Sequence, residues 1–122
     1  MEIIEILTKA EYKRKRVAAY CRVSTKHEEQ EASLDTQIKY YDQYIKSNRM
    51  WDYAGVFFDR KSGLIVDKLT GLQELLSECD AGKVDIILVK SITRFGRNLY
   101  DGILILRHLK AIGVDVRFEQ EG

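Results

Sequence analysis

Val84-Asp85-Ile86-Ile87-Leu88-Val89 is the strongest strand signal in the chain, and what flanks it decides the fold. The unbroken apolar run at 86–89 leaves no wet face. It predicts a strand covered on both sides, as in a parallel sheet. Upstream, Leu69, Leu72, Leu75, Leu76 and Cys79 recur at helical spacing up to Gly82. Downstream, a polar stretch from Lys90 to Asn98 leads into a further helical pattern over 99–112, with Leu99, Ile103, Leu106 and Leu109 expected inward. Gly113 stands where a helix ends in a left-handed residue. Val114, Val116 and Phe118 then alternate with Asp115 and Arg117, which predicts a last strand with one wetter face.

The first half of the chain repeats this order. Val17-Ala18-Ala19-Tyr20-Cys21 reads as a second strand buried on both faces, and Ser24 to Glu31 as a polar loop. Ser33 is a helix N-cap candidate, and Leu34, Ile38, Tyr41 and Ile45 share one helical face. Val56-Phe57-Phe58 predicts a buried strand, with a loop from Asp59 to Asp67. Strands alternating with helices predict an α/β fold: three layers, a mainly parallel sheet of four to five strands, and helices on both faces. One domain over 1–122 is expected, with 1–15 as an N-terminal extension whose first eight residues form a short edge strand or a frayed end.

Composition narrows the class. The chain has 122 residues, 45% apolar and 32% charged, which suits one soluble core. No apolar run approaches the roughly 20 residues of a membrane span, and no secretory leader is evident. Cys21 and Cys79 have no metal-ligand spacing and read as buried free thiols in a reducing compartment, so the expected location is cytoplasmic. The net charge of +1 does not announce a nucleic-acid binder. The basic run Lys13-Arg14-Lys15-Arg16 and the acidic Glu28, Glu29 and Glu31 read as solvated surface.

In open α/β sheets, sites gather in loops beyond the carboxyl ends of strands. Three such loops are polar here: 22–31, 59–67 and 90–98. In the first, Ser24 lies just past a buried strand, a rigid mount for a nucleophile, and alternation would place Arg22 on its side. In the third, Arg94 and Arg97 are three apart, so on a helical turn both would face one phosphate as bidentate donors. No carboxylate set has metal-ligand spacing. His108 reads as a surface residue, while His27 falls within the first loop. A serine among arginines, without a metal or cofactor, points to phosphoryl transfer. A nucleotide-binding domain would want glycines after the first strand, and residues 22–32 contain none.

Four fragments now resemble one family. Tyr20-Cys21-Arg22-Val23-Ser24-Thr25 resembles the nucleophile motif of serine site-specific recombinases, the resolvases, invertases and large integrases. Ser33-Leu34-Asp35-Thr36-Gln37 resembles the start of the helix that follows it. Phe58-Asp59-Arg60-Lys61-Ser62-Gly63 resembles the family's second loop, and Val89 to Asn98 its arginine motif. The resemblance implies that Ser24 attacks a DNA phosphodiester, giving a 5′-phosphoserine link and a free 3′-hydroxyl. Arg22, Arg94 and Arg97 would hold the phosphate. Gln37, Asp59, Ser62, Lys68 and Thr93 would support the substrate phosphate or the site. It further implies double-stranded DNA as partner, homodimers that assemble into tetramers, strand exchange, and rejoining without metal, ATP or any small-molecule cofactor.

Two departures bear on this. Thr93 stands where small resolvases usually carry aspartate, which resembles the large recombinases of phages and conjugative transposons better. The region after the second loop reads Asp67-Lys68-Leu69, with no arginine, so Lys68 could act there only as a point charge. No pattern for reading base edges is present, which fits a catalytic piece of a longer chain. The alternative is a non-catalytic, resolvase-like DNA-binding or dimerisation domain.

Overall fold

The computed structural model describes residues 14–23, 33–60, 69–96 and 98–119. Four strands are present among them: β1 (Lys15–Val23), β2 (Trp51–Arg60), β3 (Ile86–Val89) and β4 (Asp115–Phe118). Three helices alternate with them: α1 (Leu34–Lys46), α2 (Thr70–Asp80) and α3 (Leu99–Ala111). A 3-10 turn, Ile92–Phe95, sits between β3 and α3. The sheet order is β2-β1-β3-β4, and every pairing is parallel.

The central strands explain the three layers. In β1, Val17, Ala19 and Cys21 turn to one face with Ile86 and Leu88 of β3, and α1 covers them through Leu34, Tyr41 and Ile45. Ala18 and Tyr20 turn to the other face with Ile87 and Val89, where α2 contributes Leu72, Leu75 and Cys79, and α3 contributes Leu109. Because α1 lies on one face and its crossover runs one way, while α2 and α3 lie on the other and run the opposite way, all three crossovers share one hand. Ser33 caps α1 as expected, its Oγ accepting from the Thr36 amide at 3.2 Å.

The structure corrects several boundaries. β1 begins at Lys15, inside the expected extension, and Arg14 donates to the Arg49 carbonyl at 2.9 Å. Residues 1–13 lie outside the described residues. β2 starts five residues earlier than expected and continues through Asp59 to Arg60. Gly55, at φ 115°, breaks the alternation where the β1–β2 register shifts, and this hid the first half of the strand. As an edge strand β2 is not buried on both faces; Phe58 is 49% exposed. β3 is bounded at Ile86, although the Asp85 backbone still bonds Arg16 on one side and Asp115 on the other. In β4, Val116 packs on the core, whereas Phe118 is exposed rather than inward.

α3 is rotated from its expected orientation. Leu99 is exposed, Ile103 and Leu106 are half-buried, and the tightest contacts are at Gly102 and Leu109. A Cβ on Gly102 would lie 2.6 Å from the Ile92 carbonyl oxygen. The helix therefore leans on the 3-10 turn along its glycine, a position that carries no weight in an apolar-periodicity reading.

Arg16 and Asp85 pin β1 to the entry of β3, with Nε to Oδ2 at 3.0 Å, Nη2 to Oδ1 at 3.0 Å, and the Arg16 amide to Oδ2 at 2.8 Å. The Arg16 hydrogen bonds hold the Asp85 carboxyl down at about 2. Its stabilisation is thus complete above the ordinary carboxylate range and is lost as pH falls through about 2. Asp85→Asn is expected to cost about 1 kcal/mol at neutral pH, a modest figure because both side chains are partly solvated. In urea titrations the gap from wild type should shrink below about pH 4. A gap that stays constant down to pH 2 would refute the assignment.

Candidate active site

The switch in strand order lies at β1, whose neighbours on either side receive chain running in opposite directions. The carboxyl ends of β1 and β3 therefore open onto a common crevice. Arg22, one residue before the end of β1, faces the α2–α3 side, since it alternates in phase with Ala18 and Tyr20. Its Nη2 donates to the Thr93 carbonyl at 2.9 Å, and Nη1 and Nη2 both reach the Gly96 carbonyl at 3.4 Å. The first and third polar loops are thus joined by one guanidinium.

The 3-10 turn bears Arg94, half-buried, with Phe95 fully buried beneath it as the anchor. Arg94 lies close enough to Cys21 and Tyr41 for its charge to oppose the upward pull of burial on both groups. Arg22 is thus tied to the carbonyls of Thr93 and Gly96, on either side of Arg94 in the chain. The Thr93 hydroxyl hydrogen-bonds with Ser91 at 2.8 Å, while its carbonyl serves Arg22. Two glycines let α3 close on the turn: a Cβ on Gly96 would fall 2.6 Å from the Asp101 Cβ, much as one on Gly102 would strike Ile92. Asn98 caps α3, accepting from the Asp101 amide at 2.9 Å.

Asp59 is buried in β2 rather than opening a loop. Its Oδ1 accepts from the Gly71 amide and its Oδ2 from the Leu72 amide, both at 2.9 Å, and Oδ2 also accepts from the Tyr20 hydroxyl at 2.7 Å. Leu69, the residue at the cap position of α2, has no side chain able to cap. A carboxylate from the neighbouring strand does that work on the N2 and N3 amides. Asp59 thus ties β2 to α2 and to Tyr20 of β1. Tyr20 had been quoted only as part of a motif. A tyrosine in an otherwise apolar buried run needs a hydroxyl partner, and that need was the available signal.

Gln37 lies in the first turns of α1, on the opposite side of the crevice, near Tyr41 and Lys90. The structure thus joins Arg22 to the turn that carries Thr93 and Arg94, places Gln37 with Tyr41 and Lys90 in the groove on the α1 side, and bonds Asp59 to Tyr20 of the same strand as Arg22. Ser24, His27, Ser62, Lys68 and Arg97 lie outside the described residues. His108 is exposed as expected and bonds Asp80 at 2.7 Å. Among the described residues no helix is long and apolar enough to cross a membrane.

Cys21 and Cys79 are buried and unpaired, and burial pushes both thiols up to about 12. Neither should be labelled by a thiol reagent in the native protein at pH 8, whereas both should react at once in denaturant. Rapid native labelling of either would contradict the packing.

The comparisons with known proteins agree with this fold. Residues 17–122 match the family described as Resolvase, N terminal domain. The chain is 38% identical over 108 residues to the Transposon Tn3 resolvase of Escherichia coli, covering 88% of this chain and 51% of that protein. It is 33% identical over 108 residues to a resolvase/recombinase of Pseudomonas putida, covering 88% and 52%. The chain therefore spans about half the length of the curated relatives it matches. Among solved structures, a serine recombinase from Sulfolobus solfataricus superposes with TM-score 0.64 at 29% identity, over 90% of this chain and 71% of that one. The C-terminal catalytic domain of ISC1926 TnpA, an IS607-like serine recombinase, superposes with TM-score 0.68 at 25% identity, over 88% and 71%. A family match over nearly the whole described chain, on a sheet whose crevice gathers the arginine motif, places this protein among the members of the resolvase N-terminal domain family.

Proposed function

We propose that this domain is the catalytic unit of a serine site-specific recombinase acting on double-stranded DNA. The observation that carries the reading is the Arg22 bridge from the end of β1 to the turn bearing Arg94. It ties the turn that carries Arg94 to the strand after which Ser24 follows in sequence, which supports the reading. In the proposed reaction the Ser24 oxygen bonds to phosphorus and the bond from phosphorus to the 3′-oxygen breaks. The Ser24 hydroxyl gives up its proton as it attacks, and the 3′-oxygen leaves as a hydroxyl, having gained one, so the protons balance. Arg22, Arg94 and Arg97 neutralise the charge that gathers on the phosphoryl oxygens. The phosphoserine diester conserves the energy of the broken strand, so the reverse attack by a 3′-hydroxyl reseals DNA without ATP, metal or cofactor. Gln37, Thr93, Ser62 and Lys68 are proposed as supports around the phosphate, and Asp59 as support from below. Exchange of strands requires more than one copy, and dimers pairing into tetramers in the cytoplasm are part of the same proposal.

The test uses the full-length gene product and end-labelled DNA carrying its target site, quenched with denaturant. A protease-sensitive protein–DNA band is expected, with the phosphate mapped to Ser24 by mass spectrometry, and no band from Ser24→Ala. Wild type that binds its site and yet never yields the band would favour a non-catalytic relative that only binds DNA or dimerises.

A further inference from the structure

A groove of about 250 Å³ opens at the same end of the sheet on the α1 side, lined by Thr36, Gln37, Tyr40, Tyr41, Lys90 and Glu119. Its residues come from the first turns of α1 and from the positions just beyond β3 and β4. It borders the arginine turn, since Lys90 on its rim stands two residues before Ile92–Phe95. The walls are aromatic. Tyr41 is buried, whereas Tyr40 is 53% exposed. Tyr40 lies edge-on to Tyr41, centroids 5.2 Å apart, and stacks on Tyr44 at 5.6 Å with 11° between the rings. Tyr44 in turn meets Trp51 edge-on at 5.8 Å. The rim is polar: an ammonium, an amide, a hydroxyl and a carboxylate.

We propose that this groove holds one unstacked DNA base, seated against Tyr40, from the strand whose phosphate the adjoining arginines hold. The inference rests on the recombinase reading for its ligand and on the groove for its place. The space is below the roughly 300–1,000 Å³ of sites for drug-sized molecules, which suits one planar ring system. Exposed aromatic rings beside cations form the usual platform for unpaired bases, because every base has a face to stack. Lys90 supplies a cation at the rim for the neighbouring backbone. Glu119 adds a preference, since a carboxylate accepts from an exocyclic amino group. Cytosine, adenine or guanine is therefore favoured over thymine. An apolar side chain from a protein partner would cover the Glu119 carboxylate without offering it a donor, which weighs against that occupant.

The test places 2-aminopurine, one position at a time, on either side of the cleaved bond in the target duplex. Full-length protein is added, and Ser24→Ala is run in parallel so that no step depends on chemistry. One position is expected to brighten as its base leaves the stack, in wild type and in Ser24→Ala alike. Tyr40→Ser should abolish the change and weaken binding of a short single-stranded oligonucleotide roughly tenfold. Tyr40 is exposed, so this variant keeps the fold, checked by its melting curve. Glu119→Gln should lessen the disadvantage of thymine. No brightening at any position, or brightening indifferent to Tyr40→Ser, overturns the proposal. The two readings fail separately. A phosphoserine band without brightening sinks the groove alone. Tyr40-dependent brightening without a phosphoserine band sinks the recombinase reading alone.

Discussion

Arg22→Ala in the full-length protein is expected to lower the rate of DNA cleavage by about a thousandfold, the scale for losing a pre-placed charge stabiliser and part of its alignment. Two losses combine. One cation leaves the proposed phosphate site, and the turn that carries Arg94 loses its tie to β1. Arg22→Lys separates them. Lysine restores the charge but as a single ammonium, which cannot span the Thr93 and Gly96 carbonyls as a planar fork does. Its rate should fall between wild type and alanine. DNA binding by the full-length protein should change far less than the rate, since most phosphate contacts lie elsewhere on a long duplex. Thermal melting serves as the control, because a few hydrogen bonds to a half-buried charged group are worth only about 1–3 kcal/mol. Cleavage by a folded Arg22→Ala within tenfold of wild type would remove Arg22 from the mechanism.

The second large effect is on stability. Asp59→Ala is expected to cost about 4 kcal/mol, on the scale of breaking a buried charged network. The variant uncaps the Gly71 and Leu72 amides of α2 and leaves the buried Tyr20 hydroxyl without its acceptor. Burial and the neighbouring carboxylate both push the Tyr20 phenol upward, so at any ordinary pH it stays a donor that needs one. Asp59→Asn should cost roughly half as much. An asparagine offers one carbonyl and one NH2, so whichever way it turns, an NH2 confronts a backbone N–H. No local residue can relieve this, because α2 approaches β2 too closely. A Cβ on Gly71 would lie 2.0 Å from the Phe58 carbonyl oxygen. Chemical denaturation of both variants checks the order; equal stability for wild type and Asp59→Ala would refute it.

Reading the residues in order recovered the parts of the protein whose cause is local. The strand at β3 is legible because Ile86 to Val89 is buried on both faces, so no alternation is needed to recognise it. The α1 stripe is legible because Leu34, Tyr41 and Ile45 face a single layer. The arginine turn and Arg22 were legible as chemistry, and the structure adds the bond between them. What escaped is set by contacts far apart in sequence. The start of β2 is hidden by the irregularity at Gly55, and the rotation of α3 by Gly102 against Ile92. Asp59 sits beside a Ser-Gly pair, which suggests a loop, yet a partner in β1 and two amides in α2 draw it into the interior. Lys90, Tyr40 and Glu119 meet only because β3, α1 and β4 end on one side of the sheet.

The Arg22 bridge spans 71 residues to Thr93 and 74 to Gly96. On the ribosome, the strand end that bears Arg22 and leads to Ser24 emerges long before the turn that bears Arg94. The two halves meet only when β3 takes its place beside β1, with β2 and α2 already threaded between them in the chain. A nascent or half-folded polypeptide thus holds Arg22 without the carbonyls of Thr93 and Gly96 that fix its guanidinium. Under the proposed function, competence to cleave DNA is withheld until the sheet closes, a safeguard written into chain order rather than into any inhibitor.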